Sequence, residues 1–122
     1  MPADKAADNN DKLDAGGSAT IVITNPPAGG NWSQTGGSYV VTFAYSTPTG
    51  ATNISVVSWV VQDGEQIWPS SAPSMSGGSG SAPYSPSNIS TGGVGCQLYV
   101  RMSYTVSGTN YAVSDVVAAT PQ

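Results

Sequence analysis

From Ser18 onward the chain breaks into short runs that alternate apolar and polar residues, each stopped by Gly, Pro, Asn or Ser, and none holds a helical period. Alternation at a period of two puts apolar side chains on one face of a strand, and that face needs a second layer to cover it. Ser18 to Asn25 carries Ile21 and Ile23 on one side and stops at Pro26-Pro27-Ala28-Gly29-Gly30. Ser38 to Thr47 sets Val41 and Phe43 together in a run of strand-favouring residues. Ile54 to Gln62 alternates too, with Val57, Trp59 and Val61 expected inward and Ser58 and Gln62 outward. Asp63-Gly64 follows at once, then Gln66-Ile67-Trp68, a strong short-range hairpin signal. Gln97 to Val106 points Leu98, Val100, Met102, Tyr104 and Val106 inward, and Ser107-Gly108-Thr109-Asn110 turns the chain into Tyr111 to Thr120.

Between Pro69 and Ser87 the pattern lapses into Ser, Gly and Pro, which reads as a long functional loop or a crossover holding a weak edge strand. Five clear strands and one or two weak ones predict an all-β domain over residues 18–122. The expected form is an antiparallel sandwich of about seven strands, with up-and-down barrels and jelly rolls as alternatives. Its expected core is Ile21, Ile23, Val41, Phe43, Val57, Trp59, Val61, Leu98, Val100, Met102 and Tyr104, with Trp59 at the centre.

Residues 1–17 differ in kind. Asp4, Lys5, Asp8, Asp11, Lys12 and Asp14 crowd a stretch without apolar period, so it reads as a polar arm, flexible by itself or docked on a partner as an assembly element. Its removal is expected to spare the fold and abolish assembly. Beyond it the charged residues are Asp63, Glu65, Arg101 and Asp115. One Arg cannot neutralise a row of phosphates, which argues against nucleic acid and anionic membrane surfaces as partners. No apolar run is long enough to insert in a membrane, and none follows Met1 as a secretory signal would.

The stretch Leu98-Tyr99-Val100-Arg101-Met102-Ser103-Tyr104, with Gly108, Ser114 and Thr120-Pro121, resembles the last hairpin of fibronectin type III and related immunoglobulin-like domains. Trp59, midway between the Val41/Phe43 and Val100/Met102 strands, is similar to the core Trp of such sandwiches. The resemblance implies an immunoglobulin-like sandwich and no particular function, because adhesins, spacers, pilus subunits and virion decorations share it.

Catalytic chemistry finds little to work with. The chain has no His to serve as a base, and Lys5 and Lys12 sit in the arm. Asp63 and Glu65 bracket Gly64, where turn formation explains them better than a paired-carboxylate or calcium site; no cofactor and no metal is expected. Asp115 interrupts Tyr111, Val113 and Val117, which predicts a β-bulge or an inward charge guarding an edge strand. Cys96 reads as a small buried hydrophobe. Trp32, Trp68 and Tyr84 lie in or beside loops, where rings could stack on a sugar or else cap the ends of the sandwich.

These features predict a non-enzymatic structural or decoration module on a virion or another extracellular surface, partnered by a protein assembly. The alternatives are a carbohydrate-binding or adhesion module that meets surface glycans, and a filament subunit joined through its arm. The last needs a donor strand with alternating apolar residues, which residues 1–14 lack.

Overall fold

The computed structural model describes the backbone of Lys12–Leu13 and the whole of residues 19–122. The described chain is all-β, its strands joined by loops and one short 3-10 turn at Pro86–Asn88. In chain order the strands are β1 (Lys12–Leu13), β2 (Thr20–Asn25), β3 (Gly30–Trp32), β4 (Gln34–Thr35), β5 (Ser38–Ser46), β6 (Thr52–Gln62), β7 (Glu65–Ile67), β8 (Ser74–Ser76), β9 (Ser79–Tyr84), β10 (Cys96–Val106) and β11 (Thr109–Pro121). They form two sheets. One runs β1-β11-β10-β6-β7, with β3 also on β11; the other runs β2-β5-β9-β8, with β4 on β5. Neighbours are antiparallel except at β11, which takes both β1 and β3 in parallel.

Two-residue turns close four of the hairpins. Gly36-Gly37, Asp63-Gly64, Gly77-Gly78 and Ser107-Gly108 each have positive φ at both central positions, as in type I′ turns, whose twist matches that of the flanking strands. Asp63-Gly64 and Ser107-Gly108 stand where the sequence places them.

The sheets bury a common core. Ile21, Ile23, Val41 and Phe43 come from one sheet, and Leu98, Val100, Met102 and Tyr104 from the other, as their alternation predicts. Strand β6 is a correction. Val57 is 42% exposed, Val61 is half-buried, and Val56 and Val60 enter the core instead. The expected assignment is out by one residue, which exchanges the two faces of a strand. The neighbouring strand decides the matter: Val60 lies opposite Leu98 and Trp59 opposite Tyr99, so the apolar face of β10 fixes which side of β6 turns inward.

Two polar residues are buried on that inward face, and each is satisfied there. Ser58 Oγ and Tyr84 Oη share a hydrogen bond of 2.6 Å between the sheets. The Gln62 amide donates to the carbonyls of Ser90 (2.9 Å) and Val94 (3.0 Å) and accepts from the Ser90 N–H at 2.8 Å. Trp59 is 1% exposed, yet it lies on the outer face, apart from the core between the sheets. Trp32 of β3, fully buried, fills the inter-sheet core with Tyr39 and Tyr84.

Residues 69–87 hold the expected weak edge strand, β8 at the end of its sheet, together with a strand that the sequence pattern does not show, β9. It is internal, between β5 and β8, and it buries Ala82 and Tyr84. Its low apolar content has a steric cause at Gly80, where any Cβ would strike the Phe43 ring and the Ser74 carbonyl.

Between β2 and β3 the chain leaves one sheet for the other. Asp115 closes that seam by accepting the Ile23 N–H on Oδ2 at 2.8 Å, beside the register shift of β2 at Ile23/Asn25. The β10–β11 register runs unbroken past Asp115, so the bulge lies in β2 and not in β11. Of the expected arm, Lys12–Leu13 pairs with Tyr111–Ala112. Asp4, Lys5, Asp8, Asp11, Asp14 and the Lys12 side chain lie outside the described residues.

Candidate interaction surface

The outer face of the β11-β10-β6 sheet is set by register. Residues directly opposite one another in antiparallel strands point to the same side, so successive rows across β11, β10 and β6 are Ala112–Ser103–Ser55, Ser114–Arg101–Val57, Val116–Tyr99–Trp59 and Ala118–Gln97–Val61. In the third row Trp59 stacks on Tyr99, with ring centroids 5.1 Å apart and planes 6° from parallel. Trp68, just beyond β7, packs against the other side of the cluster, its centroid 6.3 Å from that of Trp59 and its plane tilted by 50°. The three rings form an aromatic row on the outside of the sheet. At one end Tyr99 Oη donates to Gln97 Oε1 at 3.0 Å. The buried indole N–H of Trp59 meets no acceptor among the described residues.

Around the row the surface is open and apolar. Trp68 is 55% exposed, Val116 48% and Val57 42%. Val57 and Trp68 also line a groove of about 360 Å³ with Pro69, Ala72 and Pro73. Large apolar groups set together in the open usually mark a contact surface.

Of the three rings proposed to meet a ligand, only Trp68 presents one. Trp32 and Tyr84 have no exposed surface. Trp32 Nε1 donates to the Val40 carbonyl at 3.0 Å, and its ring meets those of Tyr39 and Tyr84 at 5.1 and 5.8 Å. Both therefore belong to the core, because β3, paired on β11, puts the Trp32 ring in the core cluster and β9 is internal to its sheet. The outer-face members Trp59 and Tyr99 are absent from the predicted contact residues: Trp59 is expected in the core, and Tyr99 is expected on the face opposite Leu98 with no ligand role. The signal available was pairing: with Leu98 fixed inward, Tyr99 must face out, and the residue opposite it must do the same.

Titratable groups are few. Asp63 and Glu65 are exposed at their turn, and no cluster of potential metal ligands occurs among the described residues. Burial holds the Tyr84 phenol well above its ordinary value, against the Ser58 hydrogen bond, which works the other way. Burial also pushes the Cys96 thiol from its ordinary 9.0 up to about 11, which keeps it protonated and a poor nucleophile at neutral pH. The unfolded thiol ionises first, so its contribution is intact below pH 9 and is lost as the pH climbs toward about 11, and Tyr84 acts in the same direction. Urea midpoints should therefore fall on the alkaline side, and Cys96→Ala should soften that fall. A decline that begins at neutral pH would contradict this.

Among the described residues no helix is long and apolar enough to cross a membrane. No family model, curated protein or solved structure matches this chain.

Proposed function

We propose that this chain is an immunoglobulin-like contact module, a non-enzymatic structural or decoration domain on the outside of a virion or another extracellular assembly. The immunoglobulin-like assignment is supported by the order β2-β5-β9-β8 opposite β11-β10-β6-β7, and by an N-terminal segment that changes sheets to run parallel to the last strand. One observation carries the functional assignment. The apolar groups Trp68, Val116 and Val57 stand open on a single sheet face, where the charged neighbour in register is Arg101.

Antibody raised against the purified chain should find it with particles or cell envelope when the native source is fractionated on a density gradient. Val57→Ser combined with Val116→Ser should reduce that association and change stability by no more than about 0.5 kcal/mol, the usual range for surface positions. A chain recovered entirely as free protein would defeat the proposal.

Trp68 supports a second reading, a carbohydrate-binding or adhesion module. Its exposed indole beside Ser71 offers a sugar both a ring face and a hydroxyl. A glycan array probed with the native chain and with Trp68→Ala separates the two, since only the glycan reading predicts signal that depends on Trp68.

A further inference from the structure

We propose that the open edge of β6 at residues 56–58 takes up an extended peptide of a partner protein as an added strand, seated in the groove beside Trp68. Strand β6 runs from Thr52 to Gln62, but β7 covers only Val60, Val61 and Gln62 of it and ends at Ile67. The two-residue turn at Asp63-Gly64 makes Gln62 and Glu65 a hydrogen-bonded pair, so Gln62 and Val60 turn their N–H and C=O groups toward β7. The same alternation turns those of Ser58 and Val56 to that side, past the end of β7. Among the described residues no hydrogen bond meets these backbone groups there.

The chain that follows β7 passes this edge without pairing to it. Ser70 is drawn away to β9, its N–H and Oγ both donating to the Pro83 carbonyl, at 2.9 and 3.3 Å. Pro69 and Pro73 have no N–H to give. Between this segment and β6 lies the groove of about 360 Å³, lined by Val56, Ser58, Trp68, Pro69, Ala72 and Pro73 among others. Other edges are guarded: β8 and β7 have three residues each, and β2 gives its Ile23 N–H to Asp115. Residues 52–59 of β6 hold neither a charge nor a Pro.

Unpaired donors and acceptors beside a groove match the extended backbone of another chain, whose N–H and C=O groups alternate with the same period. A side chain set opposite Val57 would share the outer face with Trp68, which favours a large apolar residue there. Its neighbours in sequence would turn toward Ala72 and Pro73, where small residues fit. No lining residue is charged, so the added segment is uncharged as well. The wall formed by residues 69–73 admits one extended chain and stands in the way of the flank of a second copy. The inference goes beyond the contact reading and does not rest on it, because the open edge is the same whether or not the chain sits on an assembly.

The test is amide hydrogen exchange of the native chain with a capped peptide of alternating leucine and serine. At about ten times the peptide's Kd, exchange of the Val56 N–H should slow about tenfold. The N–H groups of Val57 and Trp59, already paired with β10, should not respond. N-methylation of one alternate set of the peptide's amides should abolish binding and that of the other set should preserve it, because only one set faces β6. These arms leave the protein unaltered. Ala72→Arg, which puts a bulky charge in the groove, should weaken binding by about tenfold or more. Binding that survives both N-methylations overturns the added strand, because side chains alone would then hold the peptide. A Val56 N–H that exchanges at one rate with and without peptide overturns it as well. So does Val56 protection that grows with protein concentration in the absence of peptide, which would put a second copy on the edge. Failure here leaves the fractionation result standing, since that experiment reads where the chain sits and this one reads its edge.

Discussion

Trp32→Ala is expected to destabilise the protein by about 3–5 kcal/mol, the usual cost of deleting a large buried aromatic side chain. A domain stable by only about 5–15 kcal/mol would come close to unfolding. The indole is fully buried, meets the rings of Tyr39 and Tyr84 and donates to the Val40 carbonyl, so alanine opens a cavity and leaves that carbonyl with the Asn25 amide as its remaining side-chain donor. The same site anchors Gln122, whose N–H donates to the Trp32 backbone carbonyl, a bond alanine keeps, and whose carbonyl accepts from Tyr39 Oη beside the lost ring. Urea unfolding followed by circular dichroism measures the cost, and Trp68→Ala is the control expected to be nearly neutral. Equal losses in the two variants would refute the inter-sheet placement of Trp32.

Gln62→Leu is expected to cost about 2–4 kcal/mol, even though it puts an apolar side chain on the inward face of a strand. Its amide holds the segment before β10 through both carbonyls and the Ser90 N–H. Leucine would leave three backbone groups without their partner, and each such group costs about 1–3 kcal/mol where water cannot replace it. Water reaches part of this loop, which keeps the total below the simple sum. The Ser90 amide should lose its protection in hydrogen exchange while the amides of β10 keep theirs. A variant as stable as the parent, with Ser90 still protected, would mean that the amide does not hold the loop.

Gln62 also shows where sequence pattern falls short. In β10 every second residue is large and apolar, so Leu98, Val100 and Met102 declare the inward face without help. In β6 both faces hold apolar residues, and the bulkier set, Val57, Trp59 and Val61, is the outer one. Nothing local to β6 tells an inward Ser or Gln from an outward one. The deciding partners, Tyr84 and the Ser90–Val94 loop, lie 26 to 32 residues away. Trp32 fails for a related reason: a three-residue strand amid Gly and Asn has no periodicity of its own and gains its place from β11. The turns at Asp63-Gly64 and Ser107-Gly108 were legible because their chemistry is local. The aromatic row has no local signature either, because it is the pairing of Trp59 with Tyr99 that sets both rings on the outer face.

The parallel pairing of β3 with β11 has a mechanical consequence. The two strands run side by side, with the N-terminal portion leading into β3 and the C-terminus leaving β11. A tether that pulls the two ends of the domain apart drags these strands past each other along their length, so the rungs that join them must fail together instead of peeling one after another. For a domain anchored at one end and loaded at the other, that arrangement puts the β3–β11 rungs in shear.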